Sequence, residues 1–276
     1  MIKNIAVQLT GSVEDEVRLA YAEPVARRFD AHLTGLQVNI LPEILPMADL
    51  AGIGSAMEEQ LAQSEQRTEE IATQLAARLS RLEPQYDLRR IDATAGAIGQ
   101  DLAAAVRTAD LFIGTRPYGD PTGQQFIEEE VLFHSGRGCL FVPPNGTPPN
   151  HYATILIAWK ESREAARAVA EALPFLKQAR QVIVALVEER GASEQFHIEA
   201  GAGIGRYLSR HGVSAEIRKI GGWTNTGEAL LNESAATGSD MIVMGGYGHS
   251  RLLEFVLGGV TRQILSNAAV PILMAH

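Results

Sequence analysis

The chain repeats itself. Ile5-Ala6-Val7-Gln8-Leu9 and Ile155-Leu156-Ile157-Ala158-Trp159 are short apolar runs 150 residues apart, each followed by a polar break and a serine, Ser12 or Ser162. Runs of this length and composition read as buried strands. A serine just ahead of a helical pattern is placed to cap it. Those patterns run through Val17, Tyr21 and Val25 in one copy and Ala165, Val169 and Leu173 in the other. Both contain a proline twelve residues past the serine, Pro24 or Pro174. An interior proline removes a helical hydrogen bond and kinks or ends the helix, so sharing it at one offset marks a duplication. Residues 32–38 then fall opposite 182–188, again at 150, as second strands.

Past that point the offset drops to 130, where Ala109-Asp110-Leu111-Phe112-Ile113-Gly114 matches Ser239-Asp240-Met241-Ile242-Val243-Met244. The first copy thus holds 20 more residues between its second and fourth strands. They are assigned to 41–57, where Pro42, Pro46, Gly52 and Gly54 break the periodicity. With Leu45, Leu50, Ile53 and Met57, that stretch reads as a flap in preference to a ligand wall. The final strands are Cys139-Leu140-Phe141-Val142-Pro143 and Pro271-Ile272-Leu273-Met274-Ala275, and Pro143-Pro144-Asn145-Gly146-Thr147-Pro148-Pro149-Asn150 reads as a stiff, extended linker. The expected division is a first domain at 1–145, a linker at 146–152 and a second domain at 153–276. Strands alternating with helices imply, in each, a parallel sheet covered on both faces and wound right-handedly. Ligands bind such sheets outside the carboxyl ends of the strands, where strand order reverses.

Composition narrows the function classes. With 46% hydrophobic and 21% charged residues in 276, the chain is globular, and either half is long enough for a core of its own. The net charge of −9 repels polyphosphate at long range, so no nucleic-acid partner is expected. A small phosphorylated ligand remains compatible, because backbone N–H groups can hold it locally. The single cysteine, Cys139, excludes an intrachain disulfide and reads as a small buried hydrophobe. No apolar run approaches the ~18 residues of a membrane span, and the first residues lack a secretory signal, so a cytoplasmic protein without membrane contact is expected.

The chemistry-bearing segment is the loop after the fourth strand of the second half. It reads Gly245-Gly246-Tyr247-Gly248-His249-Ser250-Arg251, then an apolar stretch, then Gly258-Gly259-Val260-Thr261-Arg262. Glycines let a ligand approach bare backbone, and the free N–H groups of a helix start make a phosphate cradle. A tight turn with a closely packed helix accounts for the same spacing. The pattern of Gly245, Gly248 and Gly258, together with Ser162-Arg163-Glu164-Ala165-Ala166-Arg167, Asp240 and Val270-Pro271-Ile272-Leu273-Met274, resembles the universal stress protein family in its tandem form. The likeness spans the second half and, more weakly, the first.

The resemblance implies two tandem doubly wound five-stranded parallel-sheet α/β domains of the adenine-nucleotide alpha-hydrolase-like type. It also implies an ATP site, with Mg, in the second domain of a stress-response regulator. Gly245, Gly248, Gly258, Gly259 and Val260 would cradle phosphate through their backbone, and Ala158 and Val187 would line the base pocket. Gly259 stands where the family has a hydroxyl residue, which Thr261 replaces only in part; one such hydrogen bond is worth about 0.5–1.5 kcal/mol. Lys160-Glu161-Ser162 stands where the family has Asp-Gly-Ser. A lysine only donates, so it cannot accept from ribose hydroxyls, although it can reach a phosphate. His249 sits just inside the loop and reads as an exposed loop histidine in preference to a phosphate contact.

In the first half Pro117 takes the place of the second glycine, Thr10 that of the Asp, and Glu128-Glu129-Glu130 open the last helix. Three carboxylates there suit the helix dipole and repel phosphate, and they read as a solvated face. The first half is therefore expected not to hold ATP. None of the seven histidines makes a metal-ligand spacing with another His or Cys, so no metal site is expected. No Gly-x-Ser-x-Gly elbow or Walker sequence occurs, leaving at most a weak ATPase. Beside the nucleotide-binding regulator stands a second reading, an interaction or scaffolding member that binds no nucleotide. The final strands of the two halves are expected to pair within the chain as a pseudo-dimer, covering two sheet edges, and two chains to associate as a homodimer.

Overall fold

A computed structural model of the chain describes residues 1–41, 53–83, 85–117, 127–187, 194–246 and 259–276. The first half runs β1 (Asn4–Leu9), α1 (Glu14–Phe29), β2 (His32–Leu41), α2 (Ile53–Leu79), β3 (Tyr86–Thr94), α3 (Ile98–Val106), β4 (Leu111–Thr115), α4 (Ile127–His134) and β5 (Gly138–Val142). The second runs β6 (Thr154–Ala158), α5 (Arg163–Leu176), β7 (Gln181–Val187), α6 (Glu194–Arg210), β8 (Glu216–Ile220), α7 (Thr226–Ala236), β9 (Met241–Gly245), α8 (Val260–Asn267) and β10 (Ile272–Ala275).

All ten strands join one sheet, in the order β3-β2-β1-β4-β5-β10-β9-β6-β7-β8. Neighbours within each half are parallel. The halves meet where β5 and β10 run antiparallel, with Phe141 opposite Ile272 and Leu140 opposite Leu273. Two sheet edges are thereby paired off. Strand residues alternate between two buried faces: Ile5, Val7, Leu9, Ile155 and Ile157 pack with Leu19 of α1, Leu75 of α2, Val169 of α5 and Leu208 of α6. Ala6, Leu156 and Ile242 pack with Leu102 of α3, Val131 of α4, Leu230 of α7 and Ile264 of α8. Burial on both faces is why the strands read as continuous apolar runs. Cys139 is fully buried within β5.

The repeat extends to single hydrogen bonds. Asp110 Oδ2 accepts from the Lys3 and Asn4 N–H groups at 2.7 and 3.0 Å, and Asp240 Oδ2 accepts from Thr154 N–H at 2.8 Å. Each aspartate ties the entry of one central strand to the start of its neighbour, at the sheet end opposite the strands' carboxyl ends. Asp240 is thus structural.

Several expectations need correction. Asn4 lies opposite His32 and Thr154 opposite Gln181, so the second strands match at an offset of 149, not 150. The path from β6 to β7 is one residue shorter than that from β1 to β2. The helix α5 has 14 residues against 16 in α1, and four residues join α5 to β7 where only two, Asp30 with its left-handed φ of 50° and Ala31, join α1 to β2. Neither proline ends its helix: α1 continues through Pro24 to Phe29 and α5 through Pro174 to Leu176. Ser162 Oγ caps α5 by accepting from Ala165 N–H, whereas Ser12 Oγ accepts from Thr10 Oγ1 and caps nothing. The linker opens with a turn, Gly146 N–H donating to Pro143 O at 3.0 Å, and is fastened to α1 by Tyr21 Oη donating to Thr147 O. Part of the surplus in the first half lengthens a helix, α2 having 27 residues against 17 in α6. Leu45 and Leu50 lie outside the described residues, and Ile53 and Met57 fall within α2.

Candidate functional site

Strand order reverses between β1 and β4 in one half and between β6 and β9 in the other, so the carboxyl ends of those strands are where a ligand would meet the sheet. In the second half Ala158 ends β6, flanked by Ala185 of β7 and Met244 of β9. Val187 ends β7 and Gly245 ends β9. Ala158, Val187 and Val260 pack against the same apolar cluster. Lys160 follows β6 and is exposed. Gly259 is the N-cap of α8, with φ −57° and ψ 164°, and lacks a side chain to satisfy the first-turn N–H groups. Thr261 is buried in that turn. The structure therefore brings Ala158, Lys160, Val187 and Gly245 to one end of the sheet. Gly248, His249 and Gly258 lie outside the described residues.

Gly245 has a packing reason of its own. A Cβ there would stand 2.5 Å from Ala165 N and 2.6 Å from Glu164 C, inside the first turn of α5. At Gly246 it would meet Leu132 of α4 at 2.9 Å, across the junction of the halves. Two groups that the sequence reading passed over also lie here. The Glu164 carboxylate is 4% exposed; burial pushes its pKa up, but hydrogen bonds from Arg163, its own N–H and Ser162 hold it below the usual range. The Trp159 indole Nε1 is buried without a hydrogen-bond partner among the described residues.

The same place in the first half is filled with charge. Arg18, 3% exposed, donates from Nε to Thr115 Oγ1 at 2.7 Å, and from Nη1 to Asp15 Oδ1 at 2.8 Å and Thr10 Oγ1 at 3.1 Å. Its Nη2 donates to Glu14 Oε2 at 2.7 Å. Asp15 also accepts from the N–H groups of Thr10 and Gly11. Burial pushes the Asp15 carboxyl up, against those N–H groups and Arg18. Glu128, in the first turn of α4, corrects the expectation of a solvated face. It is buried against Gln8, and loss of hydration pushes its pKa up to about 7 although Arg18 pulls it down. The inward turn follows from its partners, since Gln8 ends in a buried amide and Arg18 lies behind it. Among the described residues Gln8 Oε1 has no hydrogen-bond partner. A legible signal existed: Asp15 and Arg18 share the helical face of Leu19, Ala22 and Val25, where apolar residues are the rule.

Comparison with known proteins points the same way for the second half. The family model described as "Universal stress protein family" matches residues 151–276. Those residues, the second half of the chain, match the universal stress protein family. A universal stress protein of Synechocystis is 29% identical over 68 residues, which is 25% of this chain and 23% of that protein, so the match spans under a quarter of the relative. Among solved structures, a universal stress protein from Archaeoglobus fulgidus superposes with a TM-score of 0.75 at 14% identity, covering 99% of this chain and 95% of that one. A putative universal stress protein from Pseudomonas aeruginosa gives 0.59 at 17% identity, covering 99% and 92%. At these identities the likeness is one of fold, and it extends over both halves.

Within the universal stress fold the two sites compare position by position. Gln8 corresponds to Ala158, Thr10 to Lys160, Asp15 to Ala165 and Arg18 to Ala168; Thr115 corresponds to Gly245 and Glu128 to Thr261. Each large polar group of the first half that closes the strand ends is a small residue in the second, Lys160 excepted. No group of three or more His, Cys, Asp or Glu side chains able to hold a metal occurs among the described residues. No helix among them is long and apolar enough to cross a membrane.

Proposed function

We propose that the second half binds an adenine nucleotide, ATP with Mg, at the carboxyl ends of β6, β7 and β9, and that the chain is a stress-response regulator with one such site. The contrast between Ala158, Ala165, Ala168, Gly245 and Thr261 and their bulky counterparts carries the reading. Small residues stand at the strand ends, where nucleotides meet doubly wound sheets. Ala158 and Val187 offer an apolar wall to a base. The first turn of α8, capped only by a glycine, offers N–H groups and the positive end of a helix to phosphate. Lys160 would meet phosphate, its ammonium being unable to accept from a ribose. The proposed division at 1–145 and 153–276 places this site wholly in the second unit.

Isothermal titration with Mg-ATP tests the reading. Micromolar binding at one site per chain, lost in Gly248→Val with the fold intact, is the expected result. No heat and no competition at millimolar ATP would contradict it. That outcome would favour the second reading, a partner-binding member, for which exposed Lys160 at the family's Asp position is the specific observation. Phosphate release above the level of Gly248→Val would add a slow hydrolase activity to the same pocket.

A further inference from the structure

Away from both strand-end sites, a cavity of about 580 Å³ lies between the halves, walled by the last turns of α1, the end of α5 and the linker residues Pro149, Asn150, His151 and Tyr152. That volume falls in the range of small-molecule sites, which favour junctions between domains. Three aromatic rings, with Pro24, Val25 and Pro149, form its apolar part. Phe175 meets Phe29 edge to face with centroids 5.2 Å apart, and Tyr152 likewise at 5.4 Å. Tyr152 is largely buried, which pushes its phenol pKa up.

The charge of the cavity runs against that of the chain. None of its lining residues is acidic, and Arg27, Arg28 and His151 stand on its rim, in a protein of net charge −9. Arg27 is engaged by Glu23 and Glu83 at 2.8 Å each. Arg28 meets no carboxylate among the described residues; its Nε donates to the neutral Gln178 Oε1 at 2.6 Å across the junction. A guanidinium held in place by a neutral amide keeps its remaining N–H groups and its charge for another acceptor. Rings for an apolar planar body, with an oriented guanidinium at the mouth, select one class of molecule.

We propose that this inter-half cavity binds a small aromatic carboxylate, its ring against Phe29, Tyr152 and Phe175 and its carboxylate on Arg28, with His151 as a second contact. The site is separate from the strand-end nucleotide site and does not depend on it. Because it is built from α1, α5 and the linker together, occupancy would bias how the two halves sit against each other.

The test uses the full chain and 2-naphthoate as the probe, with 2-naphthalenemethanol as its uncharged counterpart, titrated calorimetrically with and without Mg-ATP. One naphthoate site per chain is expected, unaffected by ATP, with the alcohol at least about tenfold weaker, the scale of one charge-assisted hydrogen bond. Arg28→Gln, at an exposed position, should weaken naphthoate about tenfold and leave the alcohol unchanged. Asn150→Trp, which narrows the cavity, should weaken both. Absence of binding at about 5 mM naphthoate, a millimolar affinity at the weak end of specific recognition, would overturn the proposal. Equal affinity for acid and alcohol, or affinity unmoved by Arg28→Gln, would overturn it as well. His151→Gln serves in place of Arg28→Gln should circular dichroism show that variant unfolded.

Discussion

At the end of β1 the first half sets Gln8, Thr10, Asp15 and Arg18, and at the matching end of β6 the second half sets Ala158, Lys160, Ala165 and Ala168. The backbones that carry them are the same: same strand order, same aspartate tying the central strands, same eight-residue last helix. A doubly wound sheet leaves a gap at its point of reversal, and the gap has to be filled by something. One copy closes it with its own charges, paired and buried; the other sets small residues there, with α5 approaching Gly245. On the proposed reading, one half fills the site with its own charges and the other keeps it for a ligand.

The largest expected break of that comparison is Arg18→Ala. It strands Asp15 and Glu128 in the interior without their cation, and removal of one partner from a buried ion pair costs about 3–5 kcal/mol. Urea unfolding should show the loss.

Gly245→Ala comes next. Its Cβ has no room beside the α5 backbone, so a loss of about 3 kcal/mol is expected, whereas Thr115→Ala at the matching place loses one hydrogen bond to Arg18, about 1 kcal/mol. Parallel melts of the two variants check that ordering.

Glu128→Gln should raise stability above about pH 4.5, increasingly as pH rises toward 7. The folded pKa of about 7 lies above the ordinary 4.5, so the stability this group contributes is fully present below pH 4.5 and is lost as pH rises through 7. Glutamine cannot ionise and avoids that loss. A gain of about 2 kcal/mol at pH 8, fading to nothing at pH 4, is the expected profile in denaturant titrations. A gain independent of pH would contradict it.

The smallest difference concerns the serines. Ser162→Ala removes the cap of α5 and should cost about 1 kcal/mol, while Ser12→Ala, which caps nothing, should cost a few tenths.

How much of this the sequence shows depends on how local the cause is. The duplication, the strands and the β5–β10 pairing are legible because apolar runs and glycine or proline punctuation repeat at nearly fixed offsets. The slip from 150 to 149 is not, since a net loss of one residue between β6 and β7 leaves an apolar run looking the same in either register. Ser12 and Ser162 look alike in sequence; they differ because Thr10 Oγ1 donates to Ser12, where the second half has Lys160. Glu128 appears as one of three carboxylates on a helix start, and its burial depends on Gln8 and Arg18, distant in the chain. Of the candidate site, Ala158, Val187 and Gly245 fall at strand ends as their motif suggests, while the packing demand on Gly245 comes from a helix some eighty residues earlier. Trp159 and Glu164 carried no signal beyond their neighbours.

Hydrogen exchange of the full chain with and without Mg-ATP tests the central claim most directly. The account predicts slowed exchange at the ends of β6 and β9 and in the first turn of α8, with β1, β4 and α4 unchanged. Protection of the first-half strand ends, or none anywhere under saturating ATP, would contradict it.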